Sequence, residues 1–344
     1  MSNQALPRPR FEAPEPERQG KATLKVETKS APLLRGHVSG LPDSIFGWAM
    51  RLCGLAVVVL LGLIVYELLV GSQLSWHAFG WKFFGQSDWN PVEDQYGALP
   101  FVFGTVVSSL LALIIAVPLA VGVAVFITEM CPLGLRGALA FATELLAAIP
   151  SVIYGLWAIF VLVPLLRAYV EPVLAKTLGW TGLFTGPAYG YSMLAAGVIL
   201  AIMIIPIISS ITREVLTVVP QHQREAVLAL GATRWEMIRM GVLRNARAGI
   251  VGAIILGLGR ALGETMAVTM VIGNRPEISK SLFDFGYSMA SVLANEFSEA
   301  TGDLYLSALI EIGLALFLVT IVVNALARLM VWSVTRGQPA KGVA

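Results

Sequence analysis

Six long apolar stretches alternate with polar connections along the 344-residue chain. A helix needs about 20 mostly apolar residues to cross a bilayer, and each stretch reaches that length. The pattern predicts an all-α polytopic membrane protein with about six transmembrane helices, whose two chain ends lie on one side of the membrane. The expected spans are near residues 45–71, 102–128, 138–166, 189–212, 246–273 and 304–332.

The polar ends of the chain divide it further. Residues 1–43 are rich in Pro, Glu, Lys and Arg and have few large apolar groups, which predicts a disordered tail. Residues 44–335 form the expected transmembrane domain, and residues 336–344 a second short tail. With 56% hydrophobic and 13% charged residues, the composition excludes an ordinary soluble domain.

Positive charge is distributed unevenly between the two sides. The amino-terminal tail carries seven Lys and Arg residues, and six arginines lie between Arg213 and Arg247. The connections on the other side, 72–101, 167–188 and 274–303, are acid-rich. Because Lys and Arg near span ends remain cytoplasmic, we expect both termini in the cytoplasm. The net charge of +2 is a sum over two sides of a membrane and gives no indication of nucleic-acid binding.

Several kinds of chemistry have no motif in this sequence. Gly20-Lys21 is followed by Ala22, where a Walker A motif needs Ser or Thr, so we expect no ATPase site of its own. The three histidines and two cysteines lack metal-ligand spacing. The chain is therefore expected to be no enzyme and to hold no metal and no cofactor. An intramembrane hydrolase remains a weak alternative, and its candidate residues are Ser151 with Tyr154, or Glu129 with Glu144.

Two charges stand in an otherwise uncharged apolar run, 248–273. They are Arg260 and Glu264. An ionisable side chain at the bilayer centre costs at least about 2.5 to 3.5 kcal/mol, so such residues usually face a partner charge or a substrate path. Glu264 lies one turn further along the same helical face and could neutralise Arg260. Because Arg before Glu is the less favourable order, Glu264 could instead bind a group on a neighbouring subunit or accept a hydrogen bond from the hydroxyl of a bound substrate. The pair could instead lock helix packing, or the carboxylate could relay protons in a secondary transporter.

A polar, arginine-rich loop, 219–245, precedes this run on the predicted cytoplasmic side. Ala226, Val227, Leu230, Trp235, Ile238 and Val242 recur at near-helical spacing. The pattern predicts two short helices that break at Gly231. By pattern alone, an amphipathic helix on the membrane surface fits equally well.

The spacing of Glu225-Ala226, Gly231 and Val242-Leu243 resembles the Glu-Ala-Ala signature in permease subunits of ATP-binding-cassette (ABC) importers. Val227 replaces the second alanine of that signature, and Arg244 replaces a common proline. Further strings resemble phosphate-specific importers, in particular permeases of the PstC type, and the likeness covers about 45–333. The strings are Phe103-Gly-Thr105, Glu144-Leu-Leu-Ala-Ala-Ile-Pro150-Ser-Val-Ile-Tyr154-Gly155, Ala229-Leu-Gly-Ala-Thr-Arg-Trp235 and Gly259-Arg-Ala-Leu-Gly-Glu-Thr265-Met-Ala.

The resemblance implies a type I ABC importer permease (MetI-like) fold in the cytoplasmic (inner) membrane and the import of inorganic phosphate. It assigns Arg260, Glu264 and Thr265 to the substrate path. The contact with a separate ATPase falls to Glu225, Ala226 and Gly231.

The partners implied by the resemblance are a second, PstA-type permease, a PstB-type ATPase dimer that binds ATP and Mg, a PstS-type extracytoplasmic phosphate-binding protein, and membrane lipid. Alternatives at this point are a permease for molybdate, sulfate or tungstate, a proton-coupled secondary transporter, and a non-transporting scaffold that reports substrate status.

Overall fold

The computed structural model describes residues 40–335. The expected tails, apart from residues 40–43, lie outside the described residues. Eleven helices account for most of the described chain. In order they are α1 Gly40–Gly71, α2 Gln73–Phe79, α3 Leu99–Met130, α4 Leu133–Ala147, α5 Ser151–Thr181, α6 Met193–Val218, α7 Gln221–Ala229, α8 Arg234–Leu262, α9 Met266–Thr269, α10 Met289–Glu296 and α11 Asp303–Thr335.

The chain divides into two units, residues 1–58 and 59–344. The described part of the first unit is the beginning of α1, whose apolar side chains are exposed. There the Arg51 guanidinium lies 5.3 Å from the centroid of the Trp48 ring, a cation–π contact. All the features below lie in the second unit.

Six helices within residues 40–335 are long and apolar enough to cross a membrane: α1, α3, α5, α6, α8 and α11. In the same residues the only β-type pairing is two isolated bridges. The predicted all-α polytopic class, with about six spans, is confirmed.

Two of the expected spans are corrected by the structure. The stretch 138–166 is not one helix, because α4 ends at Ala147 and the backbone of Pro150 is extended, with φ −58° and ψ 139°. The third spanning helix is instead α5, Ser151–Thr181. The stretch 246–273 is also interrupted, because α8 ends at Leu262 and a short helix, α9, follows after a break.

Helix α6 is the most deeply buried of the spans and packs against α3, α4 and α8. Small residues of α3, including Ala112, Ala116 and Ala120, face it and join the same apolar cluster as Ile199, Ile204 and Ile208 of α6. Small side chains let two membrane helices approach closely, which favours their packing where no hydrophobic effect acts between them. These two helices therefore form the centre of the bundle.

Each end of the bundle has its own apolar cluster. At the arginine-rich end, which comprises the α3–α4 turn and the loop 219–233, the cluster joins the ends of α3 and α6 to the beginning of α8; its members include Val125, Leu216 and Ile238. At the opposite, aromatic end, Phe83, Tyr96, Phe101 and Tyr287 are buried together. The spans connect these two ends, so any signal between them passes along the helices.

Candidate functional site

The first candidate site is the break after α8. From Arg247 to Arg260 is 13 residues, about 20 Å of helix, which places Arg260 on the last turn of α8 and well into the span. Residues 263–265 are not helical, and α9 begins at Met266. Non-helical backbone at membrane depth is tolerated where it is buried in protein or lines a water-filled path. Broken helices of this kind frequently form substrate sites in transporters.

Local hydrogen bonds hold the break in shape. Glu264 is nine-tenths buried, and its Oε1 accepts a hydrogen bond from the Ala267 N–H at 3.4 Å. Thr265 is half-buried; its hydroxyl donates to the Gly263 carbonyl at 3.4 Å, and its carbonyl accepts from the Thr269 hydroxyl at 2.7 Å. A carboxylate at the start of a helix is a favourable electrostatic arrangement. Glu264 therefore has a structural partner in its own segment.

Arg260 and Glu264 do not share a helical face, so the intrahelical neutralisation that the sequence left open is not formed. The helix ends at Leu262, so Glu264 is not one turn further along the same helical face. Within residues 40–335 no ion pair or hydrogen bond involves the Arg260 guanidinium, which is exposed. The Tyr154 phenol lies within electrostatic range of it. Arg260 thus presents an uncompensated positive charge on the surface of the subunit.

Two of the sequence strings meet at this place. Gly155 of α5 packs so closely against α9 that an added Cβ would lie 2.5 Å from Met270 Sδ and 3.2 Å from Ala267 Cα. The neighbouring Tyr154 hydroxyl donates to the Leu146 carbonyl at 2.8 Å, which ties α5 to α4. The Pro150-to-Gly155 string and the Gly259-to-Ala267 string, distant in sequence, therefore build one site.

The second candidate site is the loop 219–233. Helix α7 ends at Ala229, and Gly231 adopts φ +83°, in the left-handed region that favours glycine. A capping box between Thr233 and Glu236 then starts α8. The predicted break at Gly231 is present, but the helix that follows is not short, because it continues as the fifth span to Leu262.

The loop has one exposed face and one buried face. Glu225, Ala226 and Gly231 are all exposed. Beside them are Leu230, 89% exposed, and Trp235, 63% exposed. An exposed apolar patch rimmed by polar groups marks an interaction surface. The apolar positions of the sequence pattern therefore do not all face the same way. Leu230 and Trp235 are exposed, whereas Val227, Ile238 and Val242 pack into the apolar cluster.

The inward face is held by arginines. Arg224 donates to Glu129 Oε1 through Nη2 at 2.9 Å and Nε at 3.3 Å, and to the Leu216 carbonyl at 2.9 Å. Arg234 donates to the Glu129 carbonyl. We call Glu129, Arg224 and Arg234 the arginine clasp. From the sequence, Glu129 stands out only as a candidate residue of a hydrolase, because its partner Arg224 lies 95 positions away.

Three other carboxylates, Glu144, Glu171 and Glu311, differ in their hydrogen-bond partners. Glu144 pairs with Arg213 at 2.5 Å. Glu171 is fully buried and accepts from the Gly190 N–H at 3.1 Å and the Ser192 hydroxyl at 3.4 Å. Glu311 is fully buried in α11; among residues 40–335 neither of its oxygens has a partner in hydrogen-bonding geometry, and the Ser75 side chain is its polar neighbour. The sequence contained a signal for Glu311, since an acid inside an apolar span is costly.

Within the described residues there is no group of three or more His, Cys, Asp or Glu side chains that could hold a metal ion. The hydrolase candidates are also placed differently from a catalytic set. Glu129 and Glu144 are engaged by different arginines, and the Tyr154 hydroxyl is bonded to a carbonyl rather than to Ser151.

Comparisons with known proteins agree with this arrangement. Residues 116–336 match the family described as "Binding-protein-dependent transport system inner membrane component". The chain is 47% identical over 294 residues to a protein of Mesorhizobium japonicum, covering 84% of this chain and 90% of the relative. It is 46% identical over 304 residues to one of Haemophilus influenzae, covering 87% and 95%. Both relatives are named "Phosphate transport system permease protein PstC".

Among solved structures, a bacterial ABC transporter involved in the import of the acidic polysaccharide alginate has a chain with a similar fold. The TM-score is 0.55 at 16% identity, and the alignment covers 86% of this chain and 99% of that one. Identity this low bears on the fold alone. Together with the family match, it confirms the expected ABC importer permease fold.

Proposed function

Because the chain belongs to the binding-protein-dependent transport system inner membrane components, and is similar over most of its length to PstC permeases, we propose that it is the PstC-type permease subunit of an ABC importer for inorganic phosphate. In this proposal it is a transport subunit that does not hydrolyse ATP. A PstB-type dimer binds ATP and Mg, a PstA-type permease completes the membrane path, and a PstS-type protein delivers phosphate from outside the cytoplasmic membrane.

The proposed substrate path rests on one observation: Arg260 is exposed at membrane depth and unpaired within residues 40–335. A guanidinium in contact with lipid is costly, so this surface has to meet a second subunit or a water-filled path. Phosphate carries one to two negative charges near neutral pH and loses its hydration on the way across. The planar, permanently charged fork of Arg260 donates paired hydrogen bonds to two oxygens of such an anion.

In this proposal Glu264 and Thr265 shape the path beside Arg260. The Glu264 carboxylate is nine-tenths buried and bonds the start of α9. Its free acceptor capacity suits the hydroxyl of a protonated phosphate, which a fully deprotonated oxyanion such as sulfate lacks. The half-buried Thr265 hydroxyl lies in the same non-helical segment.

The exposed surface formed by α7, the turn after it and the beginning of α8 is the proposed contact with the ATPase. Glu225, Ala226 and Gly231 lie there together with the apolar Leu230 and Trp235. The arginine-rich end is then cytoplasmic, which agrees with the rule that Lys and Arg remain on that side. By the same rule, the proposal has both chain termini in the cytoplasm.

Phosphate uptake into proteoliposomes that contain the whole complex tests the proposal. Removing a charge-assisted hydrogen bond costs about 1.5 to 3 kcal/mol, so Arg260→Ala should lower uptake about 10- to 150-fold. Arg260→Lys keeps the positive charge but loses the paired hydrogen bonds of the guanidinium. Its uptake rate should therefore lie between the rates of the parent complex and of Arg260→Ala. Arg275→Ala, which removes an exposed arginine paired with Glu277, is the matched control.

Normal phosphate uptake by an assembled Arg260→Ala complex would show that Arg260 is not part of the substrate path. Competition separates the substrate classes: unlabelled phosphate should block uptake, and equal sulfate or molybdate should not. Uptake that continues without ATP and follows a proton gradient would assign a secondary transporter instead.

A further inference from the structure

The arginine clasp connects three separate helices; its Glu129–Arg224 pair is mostly buried, whereas Arg234 is exposed. Glu129 is the penultimate residue of α3, and Arg224 lies in α7 next to the exposed Glu225. Only 13% of the Arg224 side chain and 8% of the Glu129 side chain are exposed. Ion pairs on a protein surface contribute little to stability, whereas breaking a buried pair leaves an uncompensated charge. This pair is therefore sensitive to the loss of either partner.

Arg224 also binds the end of α6. Its Nη2 donates to the Leu216 carbonyl at 2.9 Å, and its Nη1 donates to the Val219 carbonyl. The last carbonyls of a helix lack partners within the helix and carry partial negative charge, which a cation stabilises. One guanidinium thus joins α7 to the end of α6 and to the end of α3. A lysine, with its single ammonium group, cannot reproduce this planar set of contacts.

The other arm of the loop is bound to the same residue. Arg234 follows the Gly231 break and donates to the Glu129 carbonyl. Both arms of the loop, before and after Gly231, therefore contact Glu129. The loop is covalently continuous with α6 and α8 but not with α3, so the arginine clasp is a direct polar connection from the loop to α3.

Helix α3 extends from this connection to the aromatic end. It is 32 residues long, about 48 Å. Near its other end, an added Cβ on Gly104 would lie 2.2 Å from the Tyr287 carbonyl oxygen, which shows how closely the backbones approach. Thr105 Oγ1 accepts a hydrogen bond from the Met289 N–H at 2.9 Å. Glu129 lies in a π-helical last turn of α3 and Pro118 lies inside the helix, but α3 is continuous from Glu129 to its contact with the connection before α10. A displacement of Glu129 is thus passed along α3 to that connection.

We propose that Glu129 and Arg224 are positioning residues that transmit the movement of α7, driven by the ATPase, into α3 and from there to the opposite end of the subunit. This inference rests on the proposed function, since it requires an ATPase docked on α7. Neither residue contacts the substrate. Their role is to make α3 move with the loop.

The test uses the whole complex in proteoliposomes and measures phosphate carried per ATP hydrolysed. Glu129→Gln keeps the side-chain shape but removes the charge, and we expect a fall of about 10-fold in that ratio, within the range typical of coupling between two sites. The double variant Glu129→Gln/Arg224→Gln should lose no more than the worse single variant, because both remove the same connection. Glu144→Gln is the matched control, since it breaks an ion pair at the same end that does not involve the loop.

A merely structural role predicts different results. In that case Glu129→Gln would lower the thermal stability or the amount of bound ATPase, and the assembled fraction would keep the normal ratio. An unchanged ratio in an assembled complex overturns the inference. The inference is also overturned if the fold-loss in the phosphate-to-ATP ratio of the double variant equals the product of the fold-losses of the two single variants.

A second readout does not depend on the identity of the substrate. Spin labels at Leu110 on α3 and Val173 on α5, both exposed, report the distance between these helices in a background without Cys53 and Cys131. Trapping the ATPase with nucleotide and vanadate should change that distance in the parent complex and leave it unchanged in Glu129→Gln. An equal change in both overturns the inference, whereas a parent complex that moves but carries no phosphate overturns only the proposed substrate.

Discussion

Replacing Gly231 tests the docking loop with little disturbance to packing. Gly231 has φ +83°, and a Cβ added there would meet no atom within 4 Å. Any effect of Gly231→Ala therefore comes from the backbone conformation and not from a steric clash. The residue is also exposed, so no buried contact is lost.

The size of the effect follows from the left-handed conformation. A residue with a Cβ is about 1 to 2 kcal/mol less stable there than in its preferred region. If the free loop relaxes, the ATPase has to restore the strained conformation when it docks. Since about 1.4 kcal/mol corresponds to a tenfold change in an equilibrium constant, the affinity for the ATPase should fall about 5- to 30-fold.

The assay titrates the purified ATPase subunit onto the permease pair in nanodiscs. Gly231→Ala should weaken binding by the stated factor. Gly231→Asn should weaken it less, because asparagine tolerates the left-handed region better than other residues. Gly252→Ala is the control, since Gly252 lies inside α8 and its added Cβ also meets nothing within 4 Å.

Affinity of Gly231→Ala within twofold of the parent protein would refute this reasoning. The same would follow if Asn and Ala weakened binding equally, or if the helical control lost as much affinity as the loop variant. In each case the left-handed backbone at Gly231 would not be what the ATPase requires.

Two further predictions concern stability in detergent. Gly104→Ala should lower the unfolding temperature markedly, because its Cβ would lie 2.2 Å from the Tyr287 carbonyl oxygen, whereas Gly122→Ala on the same helix meets nothing and should not. Glu311→Leu should raise the unfolding temperature, because it removes a fully buried carboxyl group that, among the described residues, has only the Ser75 side chain as a polar neighbour and no partner in hydrogen-bonding geometry. Glu311→Gln keeps polar atoms there and should give no such rise, and a lower temperature for Glu311→Leu would contradict the argument.

The number of spans was predictable because each requires only a sufficiently long apolar run. Their boundaries were less so. Residues 133–178 are apolar nearly throughout, so hydropathy alone does not show where one helix ends and the next begins. Pro150 decides this in the structure: α4 ends before it and α5 begins after it. A proline inside an apolar run is compatible with a kink or an end, and tertiary packing selects between them.

Arg260 was found from the sequence because an isolated charge in an apolar run is conspicuous. Its relation to Glu264 was predicted wrongly, because spacing by four implies a shared face only on a continuous helix. The close packing of Gly155 against α9 belongs to a structure in which the chain after Leu262 leaves the helix axis. Such contacts between distant segments have no periodic signal in one sequence.

The arginines discussed above differ in whether they are bonded within the chain. At the arginine-rich end, Arg213, Arg224 and Arg234 are bound to acids or carbonyls of the same chain. That end is therefore internally connected and able to transmit force. Arg260, in contrast, has no polar bond within residues 40–335. Since a free guanidinium is costly at membrane depth, the proposed function assigns its compensation to a second subunit and to the anion that crosses between them.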